Sequence, residues 1–129
     1  MENPENRRQF KRALFIIEDD IQGVFSIPGS DIGPISTHVL NLGEGGAHFI
    51  IDSSDESHFQ PGTKIILVQI KGPNPLQYLV NVDAEVKWIL DHNIMEYVGA
   101  GCQFLNITQS SRDQIKSFVE AWNQEDSPE

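Results

Sequence analysis

The sequence has one cysteine, Cys102, and no long apolar run; the longest are Ala13-Leu14-Phe15-Ile16-Ile17 and Ile65-Ile66-Leu67-Val68. A lone thiol cannot build an intrachain disulfide framework, and such runs fall far short of the ~20 apolar residues that a membrane span requires. A cytoplasmic protein without a membrane span is expected. Arg7-Arg8-Gln9-Phe10-Lys11 resembles a twin-arginine export signal, but Glu18-Asp19-Asp20 ends the following apolar stretch before it reaches the ~7–15 residues such a signal needs. Export is not expected. Cations are scarce: nine Lys and Arg against nineteen Asp and Glu give a net charge of −10. That balance repels nucleic acid and anionic lipid, so neither is an expected partner.

The usual signatures of catalysis are missing too. His38, His48, His58 and His92 are scattered, without the i, i+3 or i+4 spacing that metal sites often use, and one cysteine cannot complete a zinc knuckle. There is no Gly-x-Ser-x-Gly elbow and no Walker loop. Gly99-Ala100-Gly101 lacks the third glycine and the following helix of a dinucleotide fold and reads as a strand feature. No pair of carboxylates is marked as an acid/base couple. No catalytic residue, metal ligand or cofactor is assigned, and the chain is not expected to be an enzyme.

What is present is a folded domain of 129 residues, 39% apolar, with period-two patterning over most of its length. Leu14 and Ile16 alternate with their neighbours, and Val24 to Ile27 form a short apolar stretch that Pro28-Gly29 ends. Strands are predicted at 34–41 (Ile35, Thr37, Val39 on one side), 46–52 (Ala47, Phe49, Ile51) and 63–70. A long strand carries Val80, Val82, Ala84, Val86 and Trp88 on one face and Asn81, Asp83, Glu85 and Lys87 on the other. The last, about 96–105, carries Val98, Ala100, Cys102 and Phe104. Many short antiparallel strands predict a closed or nearly closed barrel, which removes exposed sheet edges. Between the strands at 34–41 and 46–52, Asn41-Leu42-Gly43-Glu44-Gly45-Gly46 is a tight turn whose glycines permit φ > 0. Ile115, Phe118, Val119 and Trp122 share one helical face, predicting a helix over about 110–123 capped by Thr108 or Ser110, with Ser111 and Gln114 as a capping box. Trp122 reads as an anchor to the core.

The few cations are not spread evenly. Arg7, Arg8, Lys11 and Arg12 are four of the nine, leaving residues 13–129 with five basic and seventeen acidic groups, a net of −12. Such a cluster is either a solvated leader or a site for a small anion, gripped by guanidinium forks. Charge alone leaves both open.

Two segments in order, Arg8-Gln9-Phe10-Lys11-Arg12 as Arg-x-x-x-Arg and Asn41 to Gly46 as Asn-x-Gly-x-x-Gly, resemble the paired motifs of the PilZ domain. This bacterial module is a receptor for cyclic di-GMP. Val82 to Trp88 and Val98 to Leu105 resemble its last two strands, so the likeness covers nearly the whole chain. The resemblance implies a mainly β fold, a six-stranded antiparallel barrel, split in the PilZ manner, with a C-terminal helix packed against it. It divides the chain into a basic leader at 1–12, mobile until it binds, a barrel domain at 13–124 and a disordered tail at 125–129. It further implies a non-catalytic second-messenger receptor in bacterial motility or biofilm control. The ligand would be cyclic di-GMP, with Arg8 and Arg12 on guanine edges and phosphates and Asn41 on a guanine. Gly43 and Gly46 would admit the backbone closely. Arg7 is the added cation that in some relatives accompanies two intercalated ligand molecules, and that mode is expected here. Gly43 stands where the family commonly has Ser; the missing hydroxyl is worth about 1 kcal/mol, so weaker binding is expected. Ordering of the leader would create a surface for a downstream protein. The alternative reading is a degenerate PilZ-like adaptor for pili or motility that binds no nucleotide. An oligonucleotide-binding barrel would want basic strands with exposed aromatics, which this acidic chain does not offer.

Overall fold

The alternating apolar pattern is resolved into a barrel closed on itself, seen in a computed structural model that describes residues 12–73, 77–91 and 97–125. Its strands are β1 (Arg12–Leu14), β2 (Gln22–Ser26), β3 (Ile35–Gly43), β4 (Gly46–Asp52), β5 (Lys64–Lys71), β6 (Gln77–Asp91) and β7 (Tyr97–Phe104), followed by helix α1 (Gln109–Glu125). Every pairing is antiparallel, in the order β1-β3-β2-β5-β6-β7-β4, and β3 also pairs with β4. Six strands therefore form a closed barrel, and β1 is an extra strand laid on the C-terminal end of β3. The fold is mainly β with a C-terminal helix.

Burial follows the alternation. Ala47, Phe49 and Ile51 of β4, Val80, Val82, Ala84 and Val86 of β6 and Val98, Ala100, Cys102 and Phe104 of β7 all face the core. Phe25, Phe49 and Phe59 meet ring to ring at its centre. In β1 the inward residues are Ala13 and, just past the strand, Phe15, whereas Leu14 is 69% exposed. Helix α1 closes one end: Ile115, Phe118 and Val119 are buried, and Trp122 packs edge-on against Phe15 at 4.9 Å. Each buried side chain of this kind contributes about 1.5–3 kcal/mol by leaving water. Thr108 is the cap, its hydroxyl accepting from the Ser111 amide at 3.1 Å. The Ser111 hydroxyl donates to the Val80 carbonyl, tying α1 to β6.

Four local expectations need correction. Trp88 does not continue the inward row of β6. Val86 pairs with Cys102 and Trp88 with the next residue, Gly101, so Lys87 is an extra residue in the ladder. A bulge of this kind re-aims the side chains beyond it, and Trp88 emerges on the outer surface. The turn glycines Gly43, Gly45 and Gly46 do not use φ > 0; among the described residues the glycines that do are Gly29 and Gly62. Arg12, assigned to the leader, is the first residue of β1, because its main chain pairs with Gly43. The helix runs on through Gln124 and Glu125, so residue 125, assigned to the tail, is helical. The rest of the leader and residues 126–129 lie outside the described residues.

Candidate functional site

Sheet register gathers the motif residues at one corner of the barrel. On β1 and β3 the paired positions are Arg12 with Gly43, Ala13 with Leu42 and Leu14 with Asn41. Because Ala13 points inward, Arg12 points outward, across a partner with no side chain. Its guanidinium reaches diagonally along β3, a normal cross-strand range for a long side chain. Arg12 Nε donates to Asn41 Oδ1, and Nη2 reaches the Gly46 carbonyl at 3.5 Å. The free edge of β1 is met by α1, where Asn123 Nδ2 donates to the Arg12 carbonyl at 3.4 Å. The corner is thus held by four elements, β1, β3, β4 and α1.

From this corner a row of outward residues crosses the barrel. Leu14 pairs with Asn41, Asn41 with His48, His48 with Gly101 and Gly101 with Trp88. A second row, Ile50, Gly99 and Leu90, lies beside it. Two glycines of β7 therefore form the floor of a trough, with β4 side chains on one wall and β6 side chains on the other. The Trp88 indole lies over Gly101 so closely that a Cβ there would stand 2.2 Å from its Nε1. His48 and Trp88 meet edge-on at 5.1 Å across it. The resulting pocket measures about 460 Å³ and includes Ile17, Leu40, Asn41, Ile50 and Tyr97 among its walls. Ile17, Trp88, Leu90 and Tyr97 are four of the seven large apolar side chains exposed among the described residues. Such concentration, unlike scattered single side chains, marks a binding face.

The electrostatics of the corner are mixed. Burial and the adjacent Arg12 guanidinium hold the His48 imidazole below its ordinary value, so it is neutral near pH 7. Glu44, an anion inside the turn, lies 3.8 Å from Arg112 at the start of α1. Cys102 faces the core, and burial pushes its thiol up to about 12. Among the described residues no group of His, Cys, Asp and Glu is arranged to hold a metal ion, and no helix is long and apolar enough to cross a membrane.

Of the sequence-assigned residues, Arg12, Asn41, Gly43 and Gly46 come together; Arg7 and Arg8 lie outside the described residues. Gly46 has a second duty. A Cβ on it would stand 2.2 Å from the Cys102 carbonyl oxygen, so the last motif glycine is where β4 passes close against β7. Sequence patterning did not reveal His48, which it leaves as an ordinary strand residue, or Trp88, which it points inward. Gly99 and Gly101 were the available signal: two glycines on one face of a strand leave a groove.

The PilZ domain family matches residues 6–121, and the chain belongs to that family. Among curated protein sequences none matches. Solved structures share the fold at low identity. The inhibitor of motility MotI/DgrA of Bacillus subtilis is 20% identical at a TM-score of 0.69, over 95% of this chain and 54% of that one. The PilZ domain of YcgR from Escherichia coli, solved with c-di-GMP, is 16% identical at 0.66, over 93% and 94%. MrkH of K. pneumonia, in complex with c-di-GMP, is 13% identical at 0.70, over 93% and 54%. The chain therefore spans about half the length of MotI/DgrA and MrkH, and nearly all of the isolated YcgR domain.

Proposed function

We propose that this chain is a non-catalytic receptor for c-di-GMP. The observation that carries the reading is the contact of Arg12 with Asn41 and Gly46, which joins both motifs at the rim of an aromatic-walled trough. Family membership and neighbours solved with c-di-GMP support it. The chemistry is apt. The messenger carries two phosphates and two guanines, and guanine O6 and N7 are adjacent acceptors matched by an arginine fork. Arg8 and Arg12 take these edges and the phosphates, and Asn41 takes a polar guanine contact. Gly43 and Gly46 admit the backbone, while the exposed face of Trp88 offers a stacking surface for a base. Arg7 adds the charge for a second, intercalated molecule. Capture of the anion orders the basic leader across the barrel, an order–disorder switch that presents a new surface to a downstream protein.

Calorimetric titration with c-di-GMP tests this. The expected result is saturable binding at two molecules per chain, weakened by salt, and lost in Arg8→Ala and Arg12→Ala proteins that keep the native circular dichroism spectrum. Saturation at one per chain refutes the intercalated pair. Absence of binding, with no rise in melting temperature on adding the dinucleotide, refutes the receptor and favours the adaptor.

A further inference from the structure

His48 belongs to neither motif, yet β4 places it opposite Asn41 and, through Gly101 of β7, next to Trp88. Its surroundings can be read element by element. β1 presents the Arg12 cation and β3 the uncharged Asn41 and Leu40. From β6 come Trp88 and Leu90, with Lys87 beside them held 3.6 Å from Glu85. β7 contributes glycines and the Tyr97 phenol. Among the described residues the pocket lining contains no carboxylate. An imidazole in this position meets the Arg12 guanidinium, so a second positive charge is disfavoured while the site is empty. A phosphate at the corner reverses that balance, since it attracts both groups and accepts a charge-assisted hydrogen bond from each.

We propose that His48 is a further contact for a phosphate of bound c-di-GMP and takes up one proton from solvent as the ligand enters. The proton goes to the unprotonated ring nitrogen, and the imidazolium formed donates to a phosphate oxygen. This rests on the receptor reading above. Linkage then fixes the sign. Protonation is opposed in the free protein and favoured in the complex, so affinity is highest at low pH and falls as pH rises between the two titration points.

The test is calorimetric titration of the full chain with c-di-GMP from about pH 6 to about pH 8, repeated near neutrality in two buffers of different ionisation enthalpy. The expected result is roughly five- to twentyfold weaker binding at the upper end, within the limit of tenfold per pH unit for one proton, and net proton uptake on binding. His48→Gln and His48→Phe, the second keeping a ring against Trp88, should bind with that slope and uptake removed, while the other three histidines remain. Wild-type binding that is equally tight across the range without proton uptake overturns the His48 contact and leaves the receptor standing. A slope that persists in both variants overturns it too. Failure to saturate at any pH overturns the receptor, and the contact with it.

Discussion

Gly46→Ala separates two duties of one motif residue. The added methyl would begin 2.2 Å from the Cys102 carbonyl oxygen and 3.3 Å from both the Cys102 carbonyl carbon and Gln103 Cα. All three are backbone atoms, so no side chain can swing away. Reaching ordinary contact near 3.5 Å requires about 1 Å of separation between β4 and β7. That gap opens where Gly46 pairs with Gln103 and the Phe104 amide donates to the Gly45 carbonyl at 2.9 Å. Overpacking costs about 1–3 kcal/mol, and each weakened ladder bond about 1 kcal/mol more. The expected destabilisation is about 2–4 kcal/mol, a large share of a domain's typical 5–15 kcal/mol. Urea unfolding followed by tryptophan fluorescence should show a midpoint lower by roughly 1–2 M at unchanged slope. An unchanged midpoint in a variant that no longer binds c-di-GMP would refute the reasoning and assign the glycine to ligand clearance alone.

Three other outcomes are expected. Gly101→Ala collides with the Trp88 indole rather than with backbone, so the indole swings out. Its fluorescence should shift to the red and c-di-GMP binding should weaken several-fold, with stability reduced by only about 1–2 kcal/mol; an unshifted spectrum would contradict the trough geometry. Arg112→Ala frees Glu44 to turn its charge toward the Arg12 corner and should weaken c-di-GMP binding a few-fold in calorimetry, whereas Glu44→Gln in the same background should restore it. Cys102, buried with its thiol pushed up to about 12, should resist alkylation in the native protein at pH 8 and react readily in urea. Native-state labelling at the denatured rate would place it at the surface.

The strands, the helix and their inward faces were legible because each depends on local periodicity: β4, β7 and the Ile115, Phe118, Val119, Trp122 face of α1 could be read off the order of residues. The paired motifs were legible as well, since spacing along the chain survives folding. Trp88 was not. Whether it points in or out depends on one extra residue, Lys87, in the ladder with β7, and a bulge is a property of two strands together. His48 was missed for the same reason: it has no neighbour of consequence in sequence, and gains Asn41, Arg12 and Trp88 only through register across five strands. Gly46 looked like a turn residue serving a ligand until barrel closure brought the Cys102 carbonyl against it. The sequence by itself determined the kind of fold and the presence of a basic, glycine-bearing motif pair, because hydrophobic period and charge are local quantities. Which side chains share one surface was decided only by tertiary structure, where closing a twisted sheet sets residues far apart in the chain within contact of each other.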